Sequence, residues 1–418
     1  MRDIAIIGAG ITGITTAHAL MDRGFDVTVY ERHPYAAMET SFANGGQLSA
    51  SNAEVWTHLT TVLKGLRWML RPDAPLLVNP LPTFAKYSWF ARFIANIPHY
   101  RANTIETARL AIAARRALLD MAEREGVQFD LEKRGILHFY ASKGAFDQAA
   151  RVTQMYREAG LEREAVTPEE MRAIEPALTG DFYGGFYTPS DMTGDIHSFT
   201  IGLSEALRKK GVALRYGVEI ADIQAEDGIR VTFADGSSAA HDGVVVCAGI
   251  RSRQIATRLG DVVPIYPVKG YSITVELDEA SQPGAPWVSL LDDKAKLVTS
   301  RLGAGRLRVA GTAEFNGVNL DIRADRIRPM VDWVRQYFPA VSTEKVVPWA
   351  GLRPMMPSMM PRVGAGKRPG VFYNTGHGHL GWTLSGATAE IVAETALAAT
   401  RDAGQAWPVR HRRSLSEA

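Results

Sequence analysis

The 418-residue sequence contains a single cysteine, Cys247. That excludes an internal disulfide framework, a cysteine-ligated iron–sulfur cluster and a structural multi-cysteine zinc site. No metal site is expected, and a reducing compartment is allowed. Long apolar runs are also missing: no uncharged stretch reaches the ~18 residues that suggest a spanning helix. The apolar segment Ile4–Ile7 breaks at Gly8 and lacks the longer core and cleavage site of a secretory signal. The expectation is a cytoplasmic chain that at most rests on the inner face of the plasma membrane. Charge of one sign is missing too. Forty-seven Lys and Arg oppose 45 Asp and Glu, a net +2 that gives no strong field for nucleic acid. There is no internal repeat and no low-complexity tract. What remains is ordinary for a globular protein, with 46 per cent hydrophobic and 22 per cent charged residues. The length predicts two or three domains, or one large discontinuous one.

The N-terminus carries the first specific signal. Ile4–Ile7 reads as a short buried parallel strand. It runs into Gly8-Ala9-Gly10-Ile11-Thr12-Gly13, then a helical pattern from Ile14 to Leu20, then a second apolar strand, Asp26–Tyr30, ending at Glu31. Gly8 permits a tight turn, Gly10 lets a pyrophosphate approach the backbone, and Gly13 lets the helix lie close on the strand. The helix N-terminus offers N–H groups and partial positive charge to phosphates. Glu31, 18 residues after Gly13, stands where a carboxylate can accept from ribose hydroxyls. The motif alone is weak; between a strand and a helix, with the acid in place, it points to a dinucleotide.

Nucleotide-fold strands recur far along the chain. Val244–Val246 leads into Cys247-Ala248-Gly249, and Val371–Asn374 leads into the glycine-rich turn Gly376–Gly381 and an alanine-rich helix, Ser385–Ala399. Such discontinuity is unlike a simple nicotinamide domain. The segments together resemble the glutathione-reductase-type FAD fold of the D-amino-acid oxidase superfamily. The stretches Glu39–Ser49, Ile265–Ser272, Trp349–Met355 and Asn374–Thr383 are similar to those of the bacterial D-amino acid dehydrogenases. The expected fold is α/β: a discontinuous FAD-binding Rossmann-like domain (1–55, 186–264 and 345–418) with an α+β substrate domain on a mixed sheet (56–185 and 265–344).

The resemblance implies oxidative deamination of a D-amino acid to a 2-oxo acid and ammonia, with non-covalent FAD and a quinone-type electron acceptor. Arg353 in Gly351-Leu352-Arg353-Pro354 would hold the substrate carboxylate, for which a guanidinium supplies two parallel hydrogen bonds. Ser41, Asn44, Gly45, Gly46 and Gln47 would contact the flavin. Arg32, Val218, Ala248, Gly249 and Gly351 complete that set, together with Gly376, Gly378, His379, Leu380, Gly381, Trp382 and Thr383. The helix opening at the Gly376–Gly381 turn would stabilise negative charge on a reduced ring. Tyr271 and His379 are candidate catalytic residues, although an aromatic in a strand is more often core and a histidine in a turn more often a local hydrogen-bond partner. Cys247 ends a buried strand and reads as a small apolar residue. No residue need act as a strong base if the substrate amine arrives neutral.

Other readings stay open. The donor could be a cyclic imino acid such as D-proline or hydroxy-D-proline, the acceptor could be oxygen, or the chain could bind flavin without catalysis. Residues 55–101 mix Trp56, Trp68, Phe84, Tyr87, Trp89, Phe90, Phe93 and Tyr100 with six Lys or Arg and one acid, Asp73. That composition suits a membrane interface, where a quinone could be met; it also suits an insertion with buried aromatics, and prolines at 72, 75, 80 and 82 break any long helix. After Met355, where the family commonly has an acidic residue, the sequence reads Met356-Pro357-Ser358-Met359-Met360, suggesting an adaptable apolar substrate pocket.

Overall fold

Strand Asp3–Ile7 is buried along its apolar length because both faces of its sheet are covered. The alternation is visible in what each side chain meets. Ile4 and Ile6 pack with the helices, whereas Ala5 and Ile7 pack with Ile223 and Val231 of a small antiparallel sheet on the other side. The computed structural model describes residues 2–68, 74–226 and 228–402. The stretch Arg410–Arg413, expected as a solvated face, lies outside the described residues, as do Pro72 and Asp73.

The strand sits inside a six-stranded sheet with the order Arg362–Ala365, Val371–Thr375, Gly243–Val246, Asp3–Ile7, Asp26–Glu31, Ala213–Tyr216. All neighbours are parallel except the first pair. Helices Ile11–Asp22, Tyr100–Glu125, Ile196–Lys209 and Gly381–Asp402 cover one face. Burying each large apolar side chain there contributes about 1.5–3 kcal/mol. Strands Ile220–Ala225, Ile229–Phe233 and Ser238–His241 cover the other.

The second layer is a mixed nine-stranded sheet. Its order is Val346–Met355, Tyr266–Glu276, Arg306–Phe315, Leu297–Arg301, Ser289–Asp292, Ile136–Tyr140, Gly184–Thr188, Glu164–Val166, and Leu76–Val78 pairs with Arg306–Phe315. Helix Ala324–Tyr337 packs on it through Met330, Trp333 and Val334. The chain leaves this sheet after Thr188, returns to it at Tyr266 and leaves again after Met355.

Residues 55–101 divide their aromatics between inside and outside. Helix Phe84–Ala95 turns Trp89 and Phe93 into a core with Tyr266, Val268 and Phe315, while Phe84, Tyr87 and Ile94 are exposed. Among the described residues, no helix is long and apolar enough to cross a membrane.

Candidate active site

A cleft of about 1020 Å³ runs between the two large sheets. Its first arm is built by the N-terminal motif. Gly8 turns the chain at φ +105°, and a Cβ there would stand 2.7 Å from the Cys247 carbonyl oxygen. A Cβ on Gly13 would meet the Gly8 carbonyl oxygen at 1.9 Å, so only glycine lets the helix lie on the strand. That helix starts at Gly10 with no side-chain cap and no acid in its first turn. Ser41 Oγ accepts from the Ile11 N–H at 3.0 Å, while Gly10, Ile11 and Thr12 line the cleft. The positive end is thus left toward a ligand phosphate.

Glu31 is fixed by accepting from Ala9 N–H at 2.8 Å and His33 N–H at 2.9 Å. Val218 N–H donates to the Glu31 carbonyl, and Arg32 pairs with Glu39. Ala248 and Gly249 line the wall after strand Gly243–Val246. Cys247 is buried, and burial pushes its thiol up to about 12. A thiol held neutral is a poor nucleophile, which fits a cofactor that is not attached there.

Segment Ser41–Gln47 crosses the cleft and is bolted to the large sheet. Ser272 Oγ donates to the Ala43 carbonyl at 2.7 Å, Ser300 Oγ to the Gly45 carbonyl at 2.6 Å, and Arg308 to the Asn44 carbonyl at 3.1 Å. Asn44 Oδ1 accepts from Gly46 N–H, and Gln47 Nε2 donates to Ser289 Oγ. Thr383 Oγ1 donates to the Gln47 carbonyl at 3.2 Å, tying this segment to the last helix. The Gly376–Gly381 turn docks on the end of strand Val346–Met355. Gly378 N–H donates to the Pro354 carbonyl, and Met355 and His377 form a β-bridge. Gly376, at φ +78°, has no room for a Cβ beside Met356. Helix Gly381–Asp402 opens at the cleft without an acid in its first turn.

Arg353 stands where this turn meets the sheet. Its Nη1 donates to the Thr312 carbonyl at 2.6 Å and its Nη2 to the Gly311 carbonyl at 3.3 Å. Among the described residues it has no ion pair. Burial pushes the guanidinium down to about 10. Two carbonyls aim the group, and neither neutralises its charge. Gly351 pairs with Gly270 on the neighbouring strand, both lining the cleft beside Arg353. His379 stacks on Trp56 with ring centroids 4.6 Å apart. Burial, reinforced by the Arg353 charge, pushes its imidazole down to about 3, so it is neutral at working pH. His377 is buried as well and shares a hydrogen bond with Thr388 Oγ1.

The structure adds to three expectations. Tyr271 is among the residues that line the cleft, but its ring also packs in the core of the large sheet and its hydroxyl donates to Glu314 at 2.8 Å. Leu380 and Trp382 line the cleft, while the Trp382 ring packs against Phe129 and Phe199 in the helical core and Leu380 packs in a neighbouring one. The methionines after Arg353 do not form a substrate pocket. Met355 and Met359 pack in a core with Trp89, Met356 lies under Gly376, and Met360 Sδ accepts from Thr107. Trp56, Ser51, His138 and Gly270 line the cleft without having been expected as site residues. Of these, only Gly270 left a sequence signal, a glycine inside a strand, which marks close approach.

A glycine cradle for a dinucleotide, a second helix N-terminus and an unpaired arginine in one cleft define a flavin-dependent oxidoreductase acting on a carboxylate-bearing donor. The chain belongs to the FAD dependent oxidoreductase family, whose model matches residues 3–395, and FAD is its cofactor. It is 64 per cent identical to D-amino acid dehydrogenase 3 of Mesorhizobium japonicum over 94 per cent of this chain and 96 per cent of that one. Identity to the D-amino acid dehydrogenase of Paramagnetospirillum magneticum is 42 per cent, covering 94 per cent of each chain. The fold is also that of glycine oxidase from Geobacillus kaustophilus (TM-score 0.73, 19 per cent identity, 95 per cent of each chain). L-proline dehydrogenase from P. horikoshii is similar as well (TM-score 0.74, 18 per cent identity, 94 and 92 per cent covered).

Proposed function

We propose that the protein is a D-amino acid dehydrogenase, converting a D-amino acid to a 2-oxo acid and ammonia. The observation that carries the reading is Arg353: a guanidinium aimed by two backbone carbonyls, without an acid partner, beside the glycine turn. The names of the curated relatives support the donor class. In this reading the residues of 1–55, 186–264 and 345–402 chiefly hold the cofactor and 56–185 with 265–344 chiefly shape the donor's side, except that helix Tyr100–Glu125 packs on the nucleotide sheet and strand Val346–Met355 belongs to the nine-stranded one.

FAD, when bound, supplies an acceptor for the hydride leaving the donor Cα. Gly8, Gly10 and Gly13 with the first helix N-terminus would cradle its pyrophosphate, Glu31 its ribose, and Ser41–Gln47 with the Gly376–Gly381 turn its ring. Arg353 holds the donor carboxylate and so restricts rotation of the Cα–H bond. The opening of helix Gly381–Asp402 stabilises negative charge nearby. His379, neutral and stacked on Trp56, walls off water without repelling a cationic imine. A group with so low a pKa is a feeble base, so the donor amine must enter neutral or lose its proton to water.

The acceptor in this reading is a quinone, met where Leu81, Phe84, Tyr87 and Ile94 stand exposed with Arg92 on the same helix. Sedimentation with vesicles of anionic lipid tests it: the wild type pellets, Phe84→Asp with Tyr87→Asp stays in solution, and equal behaviour of the two discards the membrane face. For the reaction itself, the holoprotein is mixed anaerobically with D-alanine, D-proline and their mirror images. Loss of the visible flavin band with the D-forms is expected. Bleaching by L-forms alone, or by none, rejects the reading.

A further inference from the structure

The cleft does not end at the donor position. A second arm runs past Ser51 to His138, Tyr140, Tyr156 and Arg163. It opens from the cofactor side: Ser49 N–H donates to Thr383 Oγ1, and two residues on, Ser51 Oγ shares a hydrogen bond with His138 Nε2 at 3.0 Å.

Arg163 at its far wall is only 3 per cent exposed. Its Nη1 donates to Thr153 Oγ1 at 2.9 Å and its Nη2 to the Tyr140 hydroxyl at 3.0 Å, while Nε has no partner. The guanidinium lies over the Phe186 ring at 4.8 Å and the Tyr156 ring at 5.7 Å. Among the described residues no carboxylate pairs with it. A guanidinium has more N–H groups than two bonds use, and a buried charge without a counter-ion costs several kcal/mol.

Other buried arginines show how the fold satisfies such a group when the role is structural. Arg301 is caged by the carbonyls of Gln282, Ala285, Gly303 and Ala304. Arg115 is paired to the buried Asp191 at 2.6 Å. Arg163 has two hydroxyls and the faces of two aromatic rings, with neither a carbonyl cage nor a carboxylate among the described residues. The neighbouring charges do not neutralise it either. Asp293 pairs with Lys296 at 2.5 Å, and Glu54, whose carboxylate accepts from the Tyr100 hydroxyl at 2.5 Å, forms no ion pair with Arg163 among the described residues. His138 is held neutral by burial and by Arg163. The arm therefore presents an unspent positive charge, with hydroxyl and imidazole groups beside it.

We propose that this arm is an anion subsite, in which Arg163 receives the side-chain carboxylate of an acidic D-amino acid while Arg353 holds its α-carboxylate. The inference rests on the dehydrogenase reading above and adds the substrate class. Uncharged donors leave Arg163 without a counter-ion; a dicarboxylate supplies one.

The test is anaerobic flavin reduction in the holoprotein, which needs no electron acceptor. D-aspartate, D-glutamate and D-2-aminoadipate are compared with D-asparagine, D-glutamine and D-alanine. For at least one chain length, the acid is expected to reduce the flavin with a second-order rate constant (reduction rate over Kd) roughly tenfold or more above its nearest neutral counterpart, the scale of a charge-assisted hydrogen bond. Arg163→Met should collapse that acid-to-amide ratio toward one, and Arg163→Lys should restore part of it. If Arg163→Met does not fold, the wild-type ratio decides alone. D-alanine reducing the flavin with no acid favoured over its amide overturns the subsite and leaves the dehydrogenase reading standing. Failure of every D-amino acid removes both. An unchanged ratio in Arg163→Met with impaired turnover on a quinone also overturns the proposal, making the arm a port for the acceptor.

Discussion

The guanidinium of Arg353 occupies the space that a side chain at Gly270 would fill: a Cβ built on Gly270 would stand 2.3 Å from Arg353 Cζ. The two residues sit on adjacent antiparallel strands, with Arg353 opposite Val268 and Gly351 opposite Gly270. Gly270→Ala is therefore expected to push the guanidinium off its carbonyl rests while leaving the nucleotide arm intact. KM for the donor should rise tenfold or more, roughly the worth of one charge-assisted hydrogen bond, with flavin content unchanged. Steady-state kinetics beside the visible spectrum check it, and an unaltered KM would show that Arg353 has room to spare.

In the proposed reading, Arg353→Ala removes the carboxylate clamp outright. The expectation is a fall in kcat/KM by about two orders of magnitude or more, because a bidentate charged pair and the orientation it imposes disappear together. The yellow colour should persist, because among the described residues the guanidinium's hydrogen bonds go to the Thr312 and Gly311 carbonyls. Activity near the wild-type level would transfer the carboxylate to another residue.

Glu31 ties two backbone N–H groups to the end of its strand. Glu31→Ala frees both and withdraws an acceptor for a ribose. FAD should then bind about tenfold or more weakly, measured by fluorescence recovery on dilution. Retention equal to the wild type would make Glu31 a purely structural cap.

Asp191 is fully buried and accepts from Arg115, the Ala50 and Ser51 N–H groups and Ser49 Oγ. It holds the 3₁₀ turn Ala50–Asn52, which joins the flavin side of the cleft to the second arm. Asp191→Ala strands a half-buried arginine and should cost about 3–5 kcal/mol of stability, read by denaturant unfolding. A loss below about 1 kcal/mol would mean that Arg115 finds water instead.

Buried histidines set an acid limit. Burial pushes His377 from 6.5 to about 3, and His138 falls well below its usual value for the same reason. Below pH ~6.5 the unfolded chain takes protons that these folded imidazoles refuse, so stability drops as pH falls and levels off only below the folded values. The slope should approach 1.4 kcal/mol per pH unit per histidine. Urea unfolding at pH 7.5 and 5.5 measures it, and His377→Gln should flatten the slope. A pH-independent midpoint would contradict the burial of both rings.

Much of this was legible in the chain because it is local. Strand, glycine turn, helix and terminal acid lie within Ile4–Glu31, and each signal acts over a few residues. The second-half strands at Val244 and Val371 read the same way. The side on which Tyr271 falls was not legible: Lys269-Gly270-Tyr271-Ser272 has no polar alternation, and a shift of one residue reverses every side chain. The direction of the Trp382 ring was not legible for a related reason. A helix start beside a ligand can still turn its largest side chain into the core, and the partners that drew it there, Phe129 and Phe199, lie far away in sequence.

The sequence by itself determined the dinucleotide cradle, because backbone conformation and helix polarity there follow from neighbouring residues. Tertiary structure alone decided that Gly270 clears the way for Arg353, and that Ser51, His138 and Arg163 share one arm. Those encounters arise from strand pairing and layer packing between residues dozens of positions apart, where no local pattern records the partner.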